Sequence, residues 1–235
     1  MADGCNYPGG ELELFEGAIH WKRYWASQIE RFVGGRVAEI GAGIGANTVF
    51  LYKFSNNWVC VEPDPALARQ IAARKASGDL DQRCVVEATT LRQLPKMASF
   101  NTILYVDVLE HIGDDRDELR EAALRLLPNG YLVVLGPAHN WLFTPFDAAI
   151  GHFRRYTRRS LVDLAPPGLS LYSVKYLDAV GMLASLANRC LLRSAHPTAA
   201  QISLWDNVMI PASKLADRAT GYRVGKSIIA VWQAR

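Results

Sequence analysis

Apolar positions along this chain change their spacing repeatedly, and short β-branched runs alternate with stripes at helical spacing, as expected when each strand is followed by a helix. The first stripe, residues 17–32, places Trp21, Trp25, Ile29 and Phe32 on one face and stops at Gly34-Gly35, which predicts a helix. Strands are predicted at 36–40, 58–61, 84–87, 101–106, 131–136, 171–176 and 227–232. A glycine loop leads from the first strand into a helix through Phe50. Asp64 as N-cap and Pro65 as first helical residue open the next helix, which Gly78 ends. Asp114, Asp115, Asp117 and Glu118 occupy the first turn of another, where acids complement the helix dipole. Pro128-Asn129-Gly130 predicts a turn into the fifth strand. Residues 137–156 break the alternation: they are aromatic, His-bearing and irregular, too long for a plain connection and suited to a lid or binding loop. A short helix capped by Thr157 follows, and helical stretches at 178–193 and 204–219 precede the last strand.

Composition narrows the class. With 235 residues, 50% of them hydrophobic and 21% charged, the chain can bury the core of one domain spanning 1–235, which excludes a disordered tail, a fibre or a disulfide mini-protein. Cys5, Cys60, Cys84 and Cys190 lie far apart without metal-ligand spacing, so no metal is expected, and Cys60 and Cys84 fall in or beside apolar runs as reduced thiols. The first ten residues lack the apolar core of a signal peptide, and the longest apolar stretch, 180–192, is interrupted by Asn188 and Arg189. The expectation is a cytoplasmic protein without a membrane segment. Net charge is +3, but it is unevenly placed: through Ile150 there are 14 basic against 19 acidic residues, and beyond it 12 against 4. The first part suits a cationic cofactor and the last an anionic substrate, unless the asymmetry is surface composition alone.

The segment Ala38-Glu39-Ile40-Gly41-Ala42-Gly43-Ile44-Gly45 stands at a strand-to-helix junction, where absent side chains let a ligand approach the backbone. Its spacing alone does not exclude a dinucleotide, because Ala46 satisfies the variant fingerprint. Glu39, two residues before Gly41, would repel a pyrophosphate and attract a sulfonium or ammonium group. Glu62, at the end of the second strand, is placed to accept both hydroxyls of a ribose. Together they describe S-adenosylmethionine better than NAD. The competing reading is that Glu39 is a structurally paired acid and Glu62 a turn cap.

The runs 37–45, Val61-Glu62-Pro63-Asp64, Tyr105-Val106-Asp107-Val108-Leu109-Glu110-His111-Ile112 and Leu127-Pro128-Asn129-Gly130 resemble, in order and spacing, the motifs of class I S-adenosylmethionine-dependent methyltransferases. Residues 147–156 and Gly225-Lys226-Ser227-Ile228-Ile229 resemble a bacterial branch acting on small molecules. The resemblance implies a Rossmann-like α/β fold: a seven-stranded, mostly parallel sheet with an antiparallel last strand, helices on both faces, and helical and loop lid insertions. It implies a cofactor half at 34–136, substrate and lid elements at 137–219, and a last strand in 220–235. By the same resemblance Glu39, Gly41, Ala42 and Gly43 hold the methionine part of the cofactor, Glu62 and Pro63 the ribose, and Asp107 the methionine amino end. The acid that many relatives aim at the adenine amine is absent, so Thr90, Leu91 or their backbone must serve. Asn129 stands where a glycine is usual, which its ease in left-handed conformations permits.

Methyl transfer from a sulfonium is an in-line displacement, so alignment and exclusion of water dominate, and a base is needed only where the acceptor must lose a proton. Candidate bases are His111, four residues after Asp107, and His139, just past the fifth strand. His152 and Tyr156, in the Gly-His-Phe-Arg-Arg-Tyr run, complete the set. For His111 the competing role is packing beneath the cofactor, and for His152 a structural clamp in which Asp147 pairs with an arginine. Trp21, Tyr24, Asp147 and Arg155 are candidate substrate contacts. Arg154, Arg155, Arg158 and Arg159 cannot all face one ligand if Thr157 starts a helix, so a solvated face with one or two functional arginines is expected. The reading is methyl transfer to oxygen or carbon of a small anionic or phenolic molecule by a monomer or homodimer that binds no nucleic acid. A dinucleotide oxidoreductase and a non-catalytic scaffold of the same fold are the alternatives.

Overall fold

The structure is a computed structural model that describes residue 7 and residues 10–55, 57–187 and 197–235. Its strands are β1 (Arg36–Ile40), β2 (Asn57–Val61), β3 (Val85–Glu87), β4 (Phe100–Val106), β5 (Leu126–Pro137), β6 (Leu169–Leu177) and β7 (Ser227–Ala234). They form one sheet in the order β3-β2-β1-β4-β5-β7-β6. Pairing is parallel from β3 through β5, and β7 runs antiparallel to both β5 and β6, as the resemblance implied. The order reverses between β1 and β4, which opens a crevice at their carboxyl ends.

Successive side chains of a strand point to opposite faces, and here both faces are covered. On one face Val37, Cys60, Leu104, Val133 and Val231 pack with Trp21, Trp25, Ile29 and Phe32, the stripe read from the sequence. On the other, Ala38, Val59, Ile103, Tyr105, Leu132 and Ala230 pack with Leu119 and Ala122 of the acid-capped helix. Cys60 and Cys84 are buried free thiols.

The helices are α1 (Glu11–Glu16), α2 (Ile19–Ile29), α3 (Thr48–Leu51), α4 (Pro65–Ser77), α5 (Asp115–Leu124), α6 (Pro145–Ala149), α7 (Arg158–Val162), α8 (Ala179–Ala187), α9 (Ala199–Leu204) and α10 (Ile210–Ala219). A π-helical turn, Trp205–Met209, joins α9 to α10. Asp206 within this turn and Asp217 of α10 tie the helical layer to the core. Asp206 accepts from the backbone N–H of His20 (3.0 Å) and Trp21 (2.8 Å), capping α2, which has no cap of its own. Asp217 accepts from the N–H groups of Asp178 and Ala179 (2.8 and 2.9 Å) at the start of α8 and from the Tyr24 hydroxyl (2.6 Å).

Several boundaries differ from the expectation. Helix α1 was not foreseen, and the helix after the glycine loop is only α3 plus a 3-10 turn, Tyr52–Phe54. Strand β5 starts at Leu126, so Pro128-Asn129-Gly130 bulges within it: Phe100 pairs with Leu126, whereas Thr102 pairs with Tyr131. Asn129 there has φ 64°, the left-handed conformation anticipated for it. The helix expected at 178–193 is described as α8; its remainder, with Cys5, Cys190 and His196, lies outside the described residues. Among the described residues no helix is long and apolar enough to cross a membrane.

Candidate active site

One cavity of about 1120 Å³ occupies the crevice at the carboxyl ends of β1, β2 and β4. The glycine loop forms its floor. Gly41, Gly43 and Gly45 all take positive φ (64°, 58° and 77°), which lets the loop fold back on β2, where the N–H groups of Gly41 and Ala42 donate to the Val61 carbonyl (2.8 and 3.4 Å). Glu62 lines the cavity just past β2, its carboxylate accepting from the N–H of Gly43 (2.8 Å) and of Asp64 (2.9 Å). Burial raises its pKa, and those two N–H groups partly offset the rise. Pro63, Thr90 and Leu91 continue this wall. Asp107, the residue after β4, has φ 54° and opens, exposed, into the cavity.

The roof is built from segments distant in sequence. Tyr7, Leu12 and Phe15 close one side, with the Tyr7 N–H donating to Asp64 (2.8 Å) and its hydroxyl to Glu11. Leu142, Phe146, Ile150 and Phe153 of the irregular segment and Ile202, Trp205 and Met209 of the helical layer add an apolar chamber beside the cofactor wall. Between them sits a cluster of ligand-type side chains. Glu110, His111 and His152 bring one ligand atom each within 4.8 Å of one another. The rings of His111 and His152 meet edge to face at 4.5 Å.

A family model described as a methyltransferase domain matches residues 18–177. The chain belongs to this methyltransferase family. A ubiquinone biosynthesis O-methyltransferase of Bradyrhizobium diazoefficiens is 31% identical over 110 residues, which is 46% of this chain and 42% of that protein. One from Rhodopseudomonas palustris HaA2 is 28% identical over 121 residues, 49% of this chain and 45% of that protein. The matches therefore span less than half the length of these relatives. The N-methyltransferase NodS of Bradyrhizobium japonicum, solved with S-adenosyl-L-homocysteine, shares the fold at TM-score 0.59 and 14% identity, covering 98% of this chain and 93% of that one. The cyclase SpnF does so at TM-score 0.60 and 14% identity, covering 91% and 79%. Fold alone thus leaves the chemistry open. Family membership bears out the resemblance to class I S-adenosylmethionine-dependent methyltransferases and the cofactor it implied, and sets the dinucleotide oxidoreductase aside.

The methyltransferase does not gather all the residues singled out from its sequence. Glu39 is corrected: its side chain points from β1 into the layer under the loop, where Oε2 accepts from Thr48 (2.7 Å) and the Trp58 indole (3.0 Å), and it does not line the cavity. Burial there pushes it up to about 7. His139 is likewise outside the cavity lining. Its ring stacks on Tyr176 (4.9 Å) beside Trp141, and burial lowers its pKa. Tyr156 is buried, its hydroxyl held by Asp115 (3.0 Å), and Tyr24 is held by Asp217; neither reaches the chamber. Asp147 is a clamp rather than a substrate contact, accepting two bonds from Arg155 (2.8 and 2.9 Å), two from Thr144 and one involving His152 Nδ1 (2.9 Å). Burial would raise its pKa, but His152, Arg155 and Thr144 together hold it well below the usual carboxylate range.

Gly41, Ala42, Gly43, Glu62, Pro63, Thr90, Leu91, Asp107, His111, His152, Trp21 and Arg155 do line the cavity. Three of the four arginines are spent on structure: Arg154 pairs with Asp115 (2.6 Å), Arg155 with Asp147 and Arg158 with the Val174 carbonyl (3.0 Å), whereas the Arg159 side chain is 93% exposed. The positive second half of the chain reaches the cavity lining through Arg155, paired with Asp147, and Lys226, 3.5 Å from Asp178. Sequence reasoning missed Tyr7, Glu110 and Lys226, all in the lining. Glu110 stands in the apolar run 105–112, and its single signal was a carboxylate at a position that burial would make costly.

Proposed function

We propose that this methyltransferase transfers the methyl group of S-adenosylmethionine to oxygen, or to carbon, of a small phenolic or anionic organic molecule. The observation that carries the reading is one continuous cavity joining the glycine loop and Glu62 to an apolar chamber of aromatic and aliphatic side chains. When bound, the cofactor supplies an electrophilic methyl carbon on a sulfonium. Glu62, already fixed by Gly43 and Asp64, would orient the ribose hydroxyls; the loop backbone and Asp107 would hold the methionine end; Thr90 and Leu91 would border the adenine. Residues 34–136 act as the cofactor half, and 137–219 supply the roof that selects the acceptor and excludes water. Oxygen is favoured because the two relatives found by sequence, at 31% and 28% identity, are named O-methyltransferases. A phenol is favoured over a polyanion because Arg154 and Arg155 are already neutralised by acids.

Calorimetry with S-adenosylhomocysteine and with NADH should show binding of the first alone. Incubation of the protein with labelled methyl donor and metabolite extracts should then label a small molecule. Binding of NADH without S-adenosylhomocysteine, or labelling of RNA or protein as the only acceptor, contradicts the proposal; cofactor binding with no acceptor labelled in any extract favours the non-catalytic scaffold.

A further inference from the structure

Glu110 is fully buried, and neither of its carboxylate oxygens has a hydrogen-bond partner among the described residues. That is costly for a polar group and far more so for a charge. What faces it makes the deficit specific. His152 Nδ1 is engaged by Asp147, a carboxylate that can only accept, so the ring proton sits on Nδ1 and the lone pair is on Nε2. Nε2 lies 3.7 Å from Glu110 Oε1, beyond a hydrogen bond. His111 lies beside the backbone of Gly151 and Ile150 and turns one ring nitrogen toward Glu110 and His152. Three side chains of ligand type thus converge, one ligand atom of each within 4.8 Å of the others, with neither Glu110 oxygen hydrogen-bonded among the described residues.

We propose that Glu110, His111 and His152 bind a divalent transition-metal ion, of the Zn²⁺ or Mn²⁺ class, at the wall of the acceptor chamber. The expectation of no metal, drawn from cysteine spacing, is thereby revised: the ligands are imidazole and carboxylate and come from segments that only the fold brings together. Two imidazoles and a carboxylate suit Zn²⁺, Mn²⁺ and Co²⁺ rather than Ca²⁺ or Mg²⁺. Ligands bonded at about 2.0–2.2 Å stand roughly 3–4 Å from one another, which the Nε2 to Oε1 separation already matches. The clamp of Asp147, Thr144 and Arg155 behind His152 is the carboxylate–histidine support that fixes a ligand's tautomer and direction.

The proposal deepens the acceptor side of the proposed function and rests on it for its consequence. A hydroxyl on such an ion loses its proton to water near neutral pH. Its oxygen lone pair then forms the bond to the methyl carbon while the carbon–sulfur bond breaks and its electrons return to sulfur as a neutral thioether. The ion would therefore replace the general base sought among the histidines, and His111 and His152 would serve as ligands.

The test uses the full chain after chelation and dialysis, titrated separately with Zn²⁺, Mn²⁺ and Co²⁺. One equivalent should bind, and Co²⁺ should give visible d–d absorption. Glu110→Gln and His152→Ala should weaken binding by at least about 100-fold and abolish that absorption, and Asp147→Asn by about 10–100-fold, with circular dichroism unchanged. Glu110→Gln is isosteric and decides the matter if His152→Ala does not fold. No binding of any of the three ions to the wild-type chain, or unchanged binding in Glu110→Gln, overturns the site and leaves Glu110 as a buried acid that folding tolerates. S-adenosylhomocysteine binding is measured alongside without metal: its absence contradicts the methyltransferase reading, and its presence without ion binding contradicts the metal site alone.

Discussion

Replacing Gly41 by Ala isolates the physical reason for the glycine loop. Gly41 has φ 64°, and a Cβ built there would lie 2.7 Å from both Cγ1 and Cγ2 of Val108. The left-handed conformation costs an L-residue about 1–2 kcal/mol. Carbon atoms rest at roughly 3.5–4.0 Å, so Val108, held against the second core layer, must be displaced at about 1–3 kcal/mol. The expected destabilisation is about 2–5 kcal/mol. Gly43 supplies the control: its φ is 58°, but the nearest atoms to its Cβ are Leu12 Cδ1 and Cδ2 at 3.5 and 3.6 Å, an ordinary contact. Gly43→Ala should therefore carry the backbone term only, about 1–2 kcal/mol. Urea unfolding of Gly41→Ala, Val108→Ala and the double variant closes the cycle. The double should be more stable than the sum of the singles by about 1–3 kcal/mol, because removing the valine methyls removes the collision and not the strain. Strict additivity, or a Gly41→Ala variant within about 0.5 kcal/mol of wild type, would refute the close-approach account.

Further outcomes follow from the same contacts. Glu62→Ala strands the N–H groups of Gly43 and Asp64 and should weaken S-adenosylhomocysteine binding by about 1–3 kcal/mol in calorimetry; unchanged affinity removes Glu62 from the cofactor site. His139→Ala should leave turnover within about threefold while lowering stability by about 1–3 kcal/mol through loss of the stacked ring, and a drop in turnover of 100-fold or more would restore it as the base. Tyr156→Phe should cost about 0.5–1.5 kcal/mol of stability, the worth of its bond to Asp115, with turnover unchanged by the same assay. Glu39 has a folded pKa raised from 4.5 to about 7, so it takes up a proton on folding and wild-type stability falls as pH rises through that window. Glu39→Gln, which keeps an acceptor for Thr48 and Trp58, should lack that fall, gaining on wild type by about 3 kcal/mol between pH 4.5 and 8 in urea unfolding; parallel profiles for the two proteins disprove the shift.

The sheet was legible because its signals are local. Val37 to Ile40, apolar but for Glu39, Trp58 to Val61 and Leu132 to Gly136 are runs bounded by turn residues, and each became the buried part of a strand. The cap of α4 was legible for the same reason, since Asp64 accepts from Ala66 and Leu67, two and three residues away. The roof was not. Its capping acid, Asp206, serves N–H groups 185 and 186 positions distant, and no spacing rule reaches across that interval. Tyr7 reaches the cavity through Asp64, 57 positions on, a contact set by packing and not by periodicity. The left-handed His139 shows the converse failure: lying just past a strand end placed it near the crevice, but φ 64° and the Tyr176 ring turned the imidazole away from it.

The two glutamates that sequence reasoning joined as a cofactor pair show why position along a strand is insufficient without depth. Glu39 is the fourth residue of β1 and points into the layer that holds Val37 and Cys60, so its carboxylate meets Thr48 and Trp58 and burial makes its charge expensive. Glu62 follows the last residue of β2, beyond the sheet, where N–H groups and the open cavity receive it. One carboxylate therefore stiffens the scaffold beneath the loop and the other is left to meet a ligand. The same division separates Asp147 from Glu110. Asp147 is saturated by Thr144, His152 and Arg155, and has no capacity left for a substrate. Glu110 has neither oxygen hydrogen-bonded among the described residues, and so is the acid of this pair left free to meet the ion proposed above.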